Sequence, residues 1–217
     1  MSLAAMCLDD KASILEISQH LNALNHQSRM GELFTLGPKH QARLFQKAAA
    51  SPALTLDFFV PQGCSPLTQV IHHGKNSLPA FRYFQKRFCL PQGGPPRLFG
   101  YNETSIRHLV GPGYFVAYST EEYPTLRERG GVVIDYYRTP DSRVAPGWPT
   151  ISPTDQGLQS LVYGHMQDFM RGVSEHVSIG AAWRKGTFIN SYFILCREAF
   201  LERKAIEEDS SKDTQDQ

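Results

Sequence analysis

Apolar Ile14, Ile17, Leu21 and Leu24 recur at three- and four-residue steps between Asp10 and Asn25. That is the period of one helical face and predicts an amphipathic helix. A second helix is expected after Gly37-Pro38, where proline suits a first turn; it runs through Ala42, Phe45 and Ala48 until Ser51-Pro52 stops it. The period then changes. LTLDFFV (54–60) ends at Pro61-Gln62-Gly63 and reads as a strand leaving into a turn, and TQVIHHG (68–74) reads as another. Alternation along the latter puts His72 and His73 on opposite faces, so they do not share a metal ion. Beyond Pro79, Phe81, Phe84 and Phe88 fall at i, i+3 and i+7 with Arg82, Gln85 and Lys86 on the remaining arc. This spacing predicts a helix with an aromatic buried edge and a basic wet face.

Downstream, RLFGY (97–101), YFVAYS (114–119), GVVIDYYR (131–138), VSIGAAW (177–183) and FINSYFILCR (188–197) are short, aromatic or β-branched and bounded by glycine, proline or charge. The last two are joined by RKGT, which makes an antiparallel hairpin the economical reading. Between these groups Ser152, Pro153 and Asp155 look like a helix start, and Leu158, Leu161, Val162, His165 and Phe169 form a stripe at helical spacing up to Gly172. The expected fold is therefore α+β: a helical N-terminal segment followed by a curved antiparallel sheet covered by one main helix at about 154–172. A single domain over 1–207 is expected, with helices at about 10–50 and the sheet at about 54–197. The acidic stretch 208–217 is expected to be a disordered tail.

Composition changes this picture little. Hydrophobic residues make up 41% and charged residues 20% of the chain, which is ordinary for a folded soluble protein. Net charge is +1, from 22 basic and 21 acidic residues, so no global field favours nucleic acid or an anionic membrane, and neither is expected as a partner. The four cysteines are widely spaced, without zinc-finger pairing, and reduced thiols in the cytoplasm are expected. MSLAAMCLDDK lacks the basic start of a secretory signal, and no apolar run is long enough to span a bilayer.

No phosphate loop, nucleophile elbow, zinc-protease motif or dinucleotide fingerprint is present, and no cofactor signature is legible. Two chemistries remain open. Tyr114, Tyr118, Tyr136, Tyr192 and Trp183, with Asp135, Arg138 and Asn190 as polar handles, suggest an aromatic-lined cavity for a small organic or amphipathic ligand. Alternatively His165, with Asp168 three residues on, would act on a helix as a general base and its orienting carboxylate. A protein-interaction role through the proline-rich loop 139–153 with Trp148, or through the basic 81–88 segment, is a third reading.

Overall fold

The computed structural model describes residues 1–78 and 82–198. Four helices come first: α1 (Leu3–Leu8), α2 (Ile14–Ala23), α3 (His26–Thr35) and α4 (Pro38–Lys47), the last extended by a 3-10 turn over Ala48–Ala50. Helix α2 starts on a capping box in which Ser13 and Glu16 each satisfy the other's backbone N–H. Asn25 lies beyond its end and caps α3, a helix the periodicity did not disclose. Among the described residues no helix is long and apolar enough to cross a membrane.

The rest of the described residues centre on a closed barrel of eight antiparallel strands in chain order: β1 (Val70–Asn76), β2 (Tyr83–Cys89), β3 (Leu98–Glu103), β4 (Phe115–Ser119), β5 (Val132–Asp135), β6 (Met166–Gly172), β7 (Val177–Arg184) and β8 (Thr187–Arg197). Strand β8 pairs with β1 and leaves no free edge. The antiparallel sheet and the hairpin at Lys185-Gly186 are as expected, but the sheet closes on itself rather than lying under one helix.

Strand alternation sorts side chains between lumen and exterior. Outward Val177, Ile179, Ile194 and Cys196 on β7 and β8 pack under Ile17, Leu21, Leu33 and Leu44 of the N-terminal helices. Outward Cys89, Phe99 and Val116 on β2 to β4 are covered by Ala145 and Trp148 of the long loop. Trp148 Nε1 donates to Gln69 Oε1 at 2.8 Å, which pins that loop down.

Three segments depart from expectation. LTLDFFV is not a strand: Leu56–Phe59 forms a short helix, α5, whose Phe59 stoppers one end of the barrel against Phe88 and His72. Tertiary packing of a bulky plug overrides the β preference of these residues. Residues 83–89 are strand β2, not a helix, because Phe84, Lys86 and Phe88 share the lumen face at period two. After the one-turn helices α6 (Arg107–Val110) and α7 (Pro124–Arg127), the expected 154–172 helix shrinks to α8 (Gln159–Tyr163), with β6 following. Here Met166, Asp168 and Met170 point inward, while Leu158 and Leu161 of the supposed buried stripe are 54% and 72% exposed. In both segments a charged residue on the inner face hides the alternation. The acidic stretch 208–217 lies outside the described residues.

Candidate functional site

Among the described residues the end opposite α5 is open. A cavity of about 300 Å³ runs into the lumen between Phe84 and Phe193 on one side and Met166, Ala182 and Tyr163 on the other. Its mouth is rimmed by Leu78, Ile106, Val110, Leu161, Val162 and Ile189. Arg184 holds α8 to this rim, donating at 3.0 Å to the carbonyl oxygens of Leu161 and Val162.

Three glycines shape the interior. Gly74, Gly100 and Gly180 stand directly across the strand pairing from Phe84, Phe115 and Phe193. In each case the phenylalanine ring lies where a β-carbon would be. The rings therefore lie close against the barrel wall instead of filling the lumen.

At the inner end of the cavity sits a polar cluster. Lys86 Nζ donates to Asn102 Oδ1 at 2.9 Å, to Tyr136 Oη, and to Asp168 Oδ2 at 3.2 Å. Tyr136 Oη is itself 3.3 Å from Asp168 Oδ2, and Asn102 Nδ2 donates to the Gly113 carbonyl at 3.0 Å. The ammonium also faces the rings of Phe84, Phe115, Tyr136 and Phe193, with centroids 4.8 to 5.6 Å away. Such a cage suits a cation stripped of water.

Burial governs the electrostatics. It lowers the Lys86 pKa, with the Asp168 charge opposing, and raises that of Asp168, with Lys86 opposing. The Tyr136 phenol is held well above its ordinary range by burial and by the Asp168 charge, so it stays protonated. Tyr163, stacked on Tyr136 at 5.4 Å, is raised by burial as well.

Of the expected site residues, the structure brings Tyr136 and Asp168 into this cavity and places the others elsewhere. His165 does not pair with Asp168. It is exposed, with a left-handed φ of 59°, and its ring lies against Tyr137, while the partners of Asp168 are Lys86 and Tyr136. The pairing rested on helical spacing that the strand β6 removes.

Tyr118, Asp135 and Arg138 do meet, but on the outer surface. Tyr118 Oη donates to Asp135 Oδ2 at 2.9 Å, and the Arg138 guanidinium covers the Tyr118 ring at 4.6 Å. Tyr114 is sealed under the long loop, its hydroxyl donating to the Pro149 carbonyl. Trp183 and Tyr192 contact Phe45 beneath the helices, and Asn190 is exposed with a φ of 51° beside the β7–β8 irregularity.

The sequence reading passed over Lys86 as a functional residue and did not single out Asn102. The signal for Lys86 was its place between Phe84 and Phe88 at period two. Among the described residues no group of three or more His, Cys, Asp or Glu side chains could hold a metal ion. Compared with protein-family models, curated proteins and solved structures, the chain matches none of them significantly. The class defined by fold and site is thus an eight-stranded antiparallel barrel with an open lumen and buried aromatic clusters.

Proposed function

We propose that this protein binds a small, mostly apolar organic molecule carrying one polar group, head first, in the barrel lumen. The observation that carries the reading is the cavity of about 300 Å³ with mostly aromatic and aliphatic walls and the Lys86–Asn102–Tyr136–Asp168 cluster at its inner end. Ligand sites combine apolar lining with a few convergent polar groups in this way, and the volume stands at the small end of their range. The largely apolar rim suits passage of a water-averse body, while Tyr136, Asn102 and Lys86 can exchange hydrogen bonds they make to one another for bonds to a polar head.

The test is thermal shift and native mass spectrometry with a series of primary alcohols and phenyl-substituted alcohols of increasing length. Stabilisation should rise with length until the cavity fills and then fall. A ligand at about a hundredfold excess over its Kd adds about 2.7 kcal/mol. Ala182→Leu, which places a side chain in the cavity, should abolish that gain and leave the fold intact. The reading fails if no member of the series stabilises the wild type.

A further inference from the structure

We infer that Lys86 condenses with the carbonyl carbon of an aldehyde or ketone seated in this cavity, forming an imine. The inference rests on the binding reading above and specifies the ligand's polar head.

The geometry supplies each participant. Lys86 and Asp168 both line the cavity, and the amine stands at its inner end, where a ligand's head would arrive. Asp168 Oδ2 lies 3.2 Å from Nζ and takes the ammonium proton directly, which frees the nitrogen lone pair. Burial favours this transfer from both sides, since it disfavours the ammonium and the carboxylate alike. Tyr136 Oη lies on the same nitrogen and can donate to the carbonyl oxygen as charge grows on it, with Asn102 Nδ2 3.2 Å from that hydroxyl.

The bookkeeping of the step closes without a further reagent. The Nζ lone pair attacks the carbonyl carbon and forms the C–N bond, and the C=O π pair moves to oxygen, which takes a proton to give the carbinolamine. Asp168 supplies that first proton, then removes a second from the nitrogen and passes it to the same oxygen, so that the C–O bond breaks and one water leaves through the mouth. The nitrogen lone pair closes the C=N bond. Nitrogen carries one positive charge before and after, with the Asp168 carboxylate as counter-ion at both ends. The rings of Phe84, Phe115, Tyr136 and Phe193 face the iminium as they face the ammonium.

The experiment incubates the full chain with hexanal or benzaldehyde and cyanoborohydride, followed by intact mass and peptide mapping. In parallel, hexan-1-ol and benzyl alcohol are tested by thermal shift and as competitors. The expected product gains the mass of one aldehyde less one oxygen atom, on Lys86, before exposed Lys39 or Lys185 is labelled. The alcohols should protect Lys86, and Lys86→Arg, which keeps a cation without a condensing amine, should remove the adduct. The competition arm uses the wild type, so it stands even if that variant does not fold. Labelling spread over Lys39 and Lys185 with Lys86 untouched, while the alcohols still stabilise, overturns the imine and leaves the binding reading in place. No stabilisation by either alcohol together with no adduct on Lys86 overturns both.

Discussion

Lys86 and Asp168 meet across the lumen from opposite walls: β2 and β6 stand four strands apart in a closed ring of eight, yet Nζ and Oδ2 are 3.2 Å apart. Their side chains are only 3% and 5% exposed. Removing one partner strands a buried charge, and Lys86→Met or Asp168→Leu should each cost about 3 to 5 kcal/mol. The double variant Lys86→Met/Asp168→Leu should recover most of that loss, because neither charge then needs solvation. Urea denaturation of the four proteins measures the coupling, and additive losses would contradict it.

His72 gives the fold an acid limit. Its ring is buried among Phe58, Phe59 and Phe88, Nε2 donates to the Phe59 carbonyl oxygen at 2.9 Å, and Nδ1 has no partner among the described residues. Burial pushes its pKa down from 6.5 to about 3. Between those values the unfolded chain binds a proton that the folded chain does not. Stability is therefore full above the unfolded value and declines as pH falls from 6.5 towards about 3, by up to about 1.4 kcal/mol per pH unit. His72→Gln should flatten this limb in denaturation curves taken across that range, even if it lowers stability at neutral pH.

Gly180 faces Phe193 so closely that a β-carbon would meet its ring. Gly180→Ala should push the ring into the lumen, cost about 1 to 3 kcal/mol in packing strain, and weaken binding of the longest alcohols first. Denaturation and thermal shift with the alcohol series read the two effects separately. Unchanged ligand preference would show that the glycine does not set the cavity's width.

Phe59 closes the other end, fully buried with its ring 4.9 Å from Phe88. Phe59→Ala should cost about 3 to 5 kcal/mol, since it removes a whole ring from a packed, fully buried position. Ligand affinity per folded molecule should stay within about twofold, as the polar cluster separates the two halves of the lumen. A large loss of affinity in protein still folded by circular dichroism would contradict that separation.

Much of the architecture is legible in the chain order of its apolar patterns. Ile14, Ile17 and Leu21 announce α2, and the aromatic and β-branched runs at 97–101, 114–119, 131–138, 177–183 and 188–197 announce strands β3, β4, β5, β7 and β8. Local pattern suffices there because α2 buries one apolar face, while strands such as β5 and β7 are short, largely apolar runs buried on both faces. It fails for 83–89 and 166–172, where Lys86 and Asp168 interrupt the inward row with charge. Nothing local says that one charge will meet the other, since their strands are adjacent neither in sequence nor in the sheet.

Closure is the other unread fact. The pairing of β1 with β8 joins residues more than a hundred positions apart and is set by the twist and stagger of the whole sheet, which no single strand encodes. The sequence by itself determined a helical start, a run of antiparallel strands and a supply of aromatic side chains. The tertiary structure alone decided that the strands close, that glycines opposite Phe84, Phe115 and Phe193 keep the lumen open, and that a lysine and an aspartate neutralise each other at its centre. A buried charge is tolerable only beside its partner, and that partnership exists only once the ring is complete.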